Sequence, residues 1–287
     1  MMGSYTYVNL QTRISSEIQD SSNTGVTLAQ VKNAIISAIE FYERERTWFN
    51  ETVSRSLVTV ANAPVVAVPS DIVLIDKLQI ATTSTFTADT SNGTATLLNS
   101  TTTLPSVGQF ITGTGIPAST MVKSITGSAP TATVTMMDQY GAVANATATN
   151  AAITVRTMGQ SKYTLKEIPY DEMAIKMATS TTTGQPSQYA YYQDRLFLFP
   201  TPGAIYALTL SYVQRLTTLS ADGDNNGWTN YAEPLIRSRA KWDIFEHLLF
   251  FPELASACRQ EEVEMLMALD IERYQRNATG RTRAVYL

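Results

Sequence analysis

Apolar positions in the first fifty residues recur at helical spacing. Leu28, Val31, Ile35, Ala38 or Ile39, and Tyr42 mark one face of a helix over 27–48, with Thr27 placed to cap it. Glu40 lies four residues before Arg44 and Glu43 three before Arg46, spacings that pair opposite charges on an exposed helix surface. A shorter helix fits 8–19 and stops at the polar run 20–25. After Asn50 the period falls to two. Strands are predicted over 52–60, 65–68 and 72–80, with Pro69-Ser70-Asp71 turning between the last two.

From Thr82 to Val155 the only charged residues are Asp89, Lys123 and Asp138, and Ser, Thr, Ala and Gly dominate. Strand-like runs recur there between Gly and Pro turns, over 94–98, 109–112, 121–125, 131–136 and 152–156. Many β-branched residues, few charges and regular turns predict a small all-β domain of sandwich or barrel type. The earlier kind of pattern then returns: a strand over 163–168, a short helix over 170–178, and a meander over 189–192, 196–199 and 204–213. Gln193-Asp194 and Pro200-Thr201-Pro202-Gly203 mark its turns.

Two helices close the chain. Asn230 and Glu233 have the spacing of a capping pair, and Leu235, Trp242, Phe245 and Leu249 form the expected buried stripe. Pro252 ends that helix and starts the next, where Leu254, Cys258, Met265 and Leu269 align. Residues 275–287 finish as a basic arm with an apolar tip. The predicted fold class is α+β: a helical body with a β meander, discontinuous over 1–81 and 158–287, and an all-β domain inserted at 82–157. Folds accept such insertions where the ends of a loop lie close together.

Composition narrows the function. A hydrophobic content of 44% over 287 residues supports a packed core, and a net charge of -4 argues against a DNA-coating protein. The one cysteine, Cys258, permits no intrachain disulfide. The first residues show no secretory signal, and no apolar run is long enough to span a bilayer, so no membrane partner is expected. His247 is the only histidine, which removes multi-histidine metal sites, and no Gly-x-Ser-x-Gly elbow or Gly-Lys-Ser/Thr loop exists. Gly113-Thr114-Gly115 has dinucleotide-like spacing, but Val122 and Ile125 follow in β-type alternation, which predicts a turn between strands. Asp222 and Asp224 resemble part of a calcium loop without its distal Glu, and Glu261, Glu262 and Glu264 read as a solvated helix face. Phe41, Tyr42, Trp48 and Phe49 read as core aromatics. No catalytic residue, cofactor or metal site is predicted.

An ordered set of segments carries a resemblance. The stretch from Phe41-Tyr42-Glu43-Arg44 to Trp48-Phe49-Asn50-Glu51 is followed by Val68-Pro69-Ser70-Asp71 and then by Gly184-Gln185-Pro186-Ser187-Gln188-Tyr189. Leu196 to Pro200, Asn226-Gly227-Trp228 and Leu235-Ile236-Arg237-Ser238-Arg239-Ala240 complete the order. This series resembles head-to-tail adaptor (connector) proteins of short-tailed and related tailed bacteriophages. The resemblance covers nearly all of the body and none of 82–157. Within 82–157, the run from Val107-Gly108 through Gly113 to Pro117, then Thr120 to Ile125, looks like a small β module of phage structural proteins.

The resemblance implies a virion subunit at the head-tail junction, assembled in the host cytoplasm. It implies a homo-oligomeric ring, a dodecamer, docked under the portal protein, extending the DNA channel and offering a platform to a tail or nozzle protein. Genomic DNA would pass through the lumen without sequence-specific binding. The family's C-terminal segment often reaches into portal grooves, which assigns portal binding here to Arg276, Arg281, Arg283, Val285, Tyr286 and Leu287. Two other readings stay open: another virion ring subunit such as a tail-completion protein, and a glycan-acting tail protein. The second would need two acids meeting in an aromatic-walled cleft, and 82–157 supplies few acids or aromatics.

Overall fold

The computed structural model describes residues 5–18, 25–99 and 101–277, with backbone only for Gln160, Ser161 and Asn277. In chain order, α1 (Tyr7–Glu17) and α2 (Leu28–Tyr42) precede β1 (Glu51–Ser54), β2 (Val65–Ala67) and the long β3 (Ile72–Thr90). Then follow β4 (Thr96–Asn99), β5 (Ile111–Thr112), β6 (Met121–Thr126), β7 (Thr133–Met137), β8 (Asn150–Thr164) and β9 (Lys166–Glu167). After α3 (Tyr170–Thr179) come β10 (Thr183–Gly184), β11 (Gln188–Tyr192), β12 (Arg195–Phe199), β13 (Thr201–Pro202) and β14 (Tyr206–Gln214). Helices α4 (Gly227–Tyr231), α5 (Glu233–His247) and α6 (Pro252–Asn277) finish the described chain. The mixed α+β class is the one expected.

The chain divides into two compact units, Met1–Glu51 with Val213–Leu287, and Thr52–Tyr212. The first is helical around one core. In α1, Tyr7, Leu10, Gln11 and Ile14 are buried at helical spacing, and α2 buries Val31, Ala34, Ile35, Ala38, Ile39 and Tyr42. Thr27 and Gln30 form a reciprocal capping box at the start of α2. That helix ends at Tyr42, not at Trp48. The buried Asn50 accepts the Thr47 amide at 2.8 Å and donates to the Glu45 carbonyl at 2.9 Å, which holds 45–50 in a turn. The surface pairs expected along it are replaced by Glu43–Arg215 at 3.0 Å and Arg46–Glu51 at 2.7 Å.

Trp48 therefore packs edge-on to Tyr231, and Phe49 to Trp228. A Cβ at Gly227 would lie 2.4 Å from Phe49 Cδ2, so only glycine lets this ring approach the start of α4. Of the four aromatics read as core, Tyr42 is buried and Phe41 is 54% exposed. Asn226, not Asn230, makes the capping box, and it caps α4 with Thr229. Ala232 precedes α5 without a side-chain cap.

In the second unit β3 and β8 form a long antiparallel ribbon, with Gln79 opposite Thr164 and Phe86 opposite Val155. The large sheet runs β1-β14-β3-β4-β7-β6, and β8 pairs both β3 and β5. A second sheet runs β2-β12-β11-β9, its β11/β12 hairpin turning at Gln193 and Asp194, both at positive φ. Two separate apolar clusters divide the ribbon. Leu78 and Ile80 pack with Leu165, Leu196, Leu198, Leu208 and Leu210, whereas Phe86 and Ala88 pack with Leu97, Ile111, Val122, Val134 and Val155. The change falls at a register shift between Ala81 and Thr83. There a Cβ on Gly159 would lie 2.7 Å from Thr82 Oγ1. Neither strand ends where composition shifts; both run through it.

Candidate docking surface of the helical unit

The residues with chemical potential are engaged structurally. His247 Nδ1 lies 3.0 Å from Asp243 Oδ1 one turn earlier, and its ring packs edge-on against Trp242. Asp224 accepts the amides of Ser220 and Ala221 and the Ser220 hydroxyl, bonds that hold its carboxyl below the usual range. Asp222 pairs with Lys32 at 3.1 Å. Gly113 and Gly115 lie between β5 and β6, with no helix following. Among the described residues no group of His, Cys, Asp or Glu is placed to hold a metal ion. No described helix is long and apolar enough to cross a membrane.

The acids of α6 do not all face water. Glu262 is 2% exposed and accepts Tyr42 Oη, Arg239 Nη1 at 3.3 Å and Arg259 Nη1 at 2.7 Å. Burial, with the Glu262 bond and charge, pushes the Tyr42 phenol well above its ordinary range. A second network joins α1 to α5. Glu233 lies 3.2 Å from both Arg13 and Arg237, and Glu17 pairs with Arg237 and, at 2.8 Å, with Lys241. Lys241 also approaches Glu261 at 3.4 Å, and Ser238 donates to Glu261 at 3.1 Å. The solvated-face reading thus holds for Glu264 and fails for Glu262, because carboxylates are buried only with partners.

The seam of α6 differs from expectation as well. Ala255, Cys258, Glu262 and Leu269 face the core, whereas Leu254 is 50% exposed. On the outward side Val263, Met267, Ile271 and Tyr274 are 43–67% exposed and recur at helical spacing. Beside this stripe a groove of about 660 Å3 lies between the end of α5 and the first half of α6, with Trp242, Glu246, Pro252, Val263, Glu264 and Met267 on its walls. Arg239 spans Phe41 and Trp242, 3.9 and 4.2 Å from the ring centres. The signal in the sequence was an excess of apolar residues around α6, more than one seam requires.

Of the residues assigned to portal binding, Arg276 alone lies among those described. It binds Glu272 through Nε at 2.9 Å and Nη2 at 2.6 Å, and its guanidinium sits 3.7 Å from the centre of the Trp48 ring. Arg281, Arg283, Val285, Tyr286 and Leu287 lie outside the described residues.

The model of the SU10 adaptor protein family matches residues 118–284, more than half of the chain. The chain belongs to the SU10 adaptor protein family. The match takes in α5, α6 and the meander, and it begins inside the segment 82–157. A search of curated proteins found no match. Membership in the SU10 adaptor family gives the chain a structural, adaptor-type role in a phage particle.

Proposed function

We propose that this SU10-family adaptor forms a ring beneath the phage portal, extends the DNA channel and presents the platform on which a tail or nozzle protein assembles. Family membership over 118–284 is the observation that carries the reading. Two features of the helical unit favour it. Buried and half-buried ion pairs tie α1, α5 and α6 together, and the Tyr42–Glu262 hydrogen bond adds α2, a rigid base for docking. The outward stripe of α6 offers apolar surface for a neighbouring subunit. The acidic balance suits a channel wall that lets DNA slide without gripping it. Copy number twelve and the docking of 275–287 into portal grooves belong to this proposal, with genomic DNA in the lumen and a virion location at the head-tail junction.

The test is to mix the chain with its portal and image the product. A ring added to the portal supports the reading, and a chain that never associates with the portal overturns it. A chain truncated after Asn277 should lose portal binding by at least tenfold. Unchanged binding would remove the arm, with Arg281, Arg283, Val285, Tyr286 and Leu287, from the docking role.

A further inference from the structure

We infer that the groove between α5 and α6 is a seat for the chain's own C-terminal residues 278–287. The groove is apolar along Trp242, Pro252, Val263 and Met267, and its acids Glu246 and Glu264 are exposed, with no ion pair among the described residues. Arg259 also lines it, but that charge is engaged by Glu262 at 2.7 Å. An occupant must therefore bring cations and apolar side chains together. Residues 278–287 carry both. In an extended segment Arg281, Arg283, Val285 and Leu287 fall on one face, two cations followed by two apolar groups.

Reach permits the return. Asn277 ends α6, and Met267 and Val263 lie ten and fourteen residues earlier, roughly 15–21 Å along the helix at ~1.5 Å per residue. Ten extended residues span up to about 33 Å. The segment's length is therefore enough to reach the groove and the Val263 and Met267 end of the apolar stripe. The inference does not rest on portal binding. A seat filled in the free chain is a contact that any other partner of 278–287 has to displace.

The experiment uses the full chain with Val285→p-benzoylphenylalanine, on the face that carries Arg281, Arg283 and Leu287, irradiated and then digested with trypsin. Cross-links are expected in the fragments 242–259 and 260–273, with a yield unchanged by tenfold dilution. In Glu246→Lys/Glu264→Lys the yield should fall at least fivefold, and adding Arg281→Glu/Arg283→Glu should restore it. Cross-links elsewhere, cross-links only between copies, or a yield indifferent to the charge reversal would overturn the seat. Portal capture by the same variants is scored separately, so loss of the seat and loss of the docking role are distinguishable.

Discussion

Removing the Glu262 carboxylate should unfold the helical unit far more easily than any surface change. In Glu262→Ala the Tyr42 hydroxyl, in a residue 3% exposed, loses its acceptor, and Arg239, whose side chain is 14% exposed, loses its counter-charge. Leaving one partner of a buried pair uncompensated costs about 3–5 kcal/mol. The Arg259 contact adds little, because that side chain is 49% exposed and screened by solvent. Tyr42→Phe, by contrast, leaves the carboxylate between two guanidiniums and should cost only about 1–2 kcal/mol. Trp48, Trp228 and Trp242, the only tryptophans in the chain, all lie in the helical unit. Urea unfolding followed by tryptophan fluorescence therefore reports on this unit alone. A cycle of Tyr42→Phe with Glu262→Ala should show coupling of roughly 1–2 kcal/mol. A Glu262→Ala cost below about 1 kcal/mol, or strict additivity in the cycle, would refute the buried node.

Acid should weaken the same unit by a defined route. Burial pushes the Glu17 carboxyl up, but hydrogen bonds and charge from Lys241 and Arg237 outweigh it and hold the group below its ordinary value. A depressed carboxylate stabilises fully above the ordinary range of about 4 and loses that contribution as pH falls through the lower native value. The urea midpoint should stay flat from neutral pH to about 5 and drop below about 4, with a shallower drop in Glu17→Gln; an identical acid profile in that variant would count against the pairing. For the second unit, we propose that 82–157 is an inserted domain. Replacing 85–156 by Asn-Gly, between the paired Ser84 and Thr157, should leave a closed hairpin and the Leu78–Leu210 cluster intact by hydrogen exchange. Loss of protection at Leu196 and Leu208 would show that the two cores fold as one.

Much of the architecture was legible because local chemistry and tertiary packing agree. Thr27 and Gln30 cap the helix that the apolar spacing marks, and the turn at Gln193 and Asp194 joins the two strands that flank it. The misses occur where a side chain acts at long range. Asn50 stops α2 by bonding backbone five and three residues earlier, which no periodicity reveals. Glu262 looked solvated until Arg239, 23 residues away, and Tyr42, 220 residues away, were brought to it. β3 and β8 cross the compositional boundary because backbone pairing continues whichever core lies above it. The α6 stripe was hidden by abundance: with apolar residues on most sides, the sequence alone does not say which set faces inward.

That stripe also bears on how assembly is timed. Fully burying a Val, Met or Ile side chain yields about 1.5–3 kcal/mol, and these four residues are already partly covered. Covering Val263, Met267, Ile271 and Tyr274 is thus worth roughly 4–8 kcal/mol in total. Association between two subunits costs an estimated ~4–15 kcal/mol of lost freedom before any contact counts. The gain does not exceed that cost over most of its range, so this face alone joins free copies weakly at best. Under the proposed function, subunits docked on a portal would meet at high effective concentration, with much of that cost already met by docking. In the proposed assembly, such a surface would close the ring on the portal in preference to solution. A C-terminal segment seated over Val263 and Met267 in the free chain would reinforce that order, since docking would have to vacate the face that the neighbouring subunit needs.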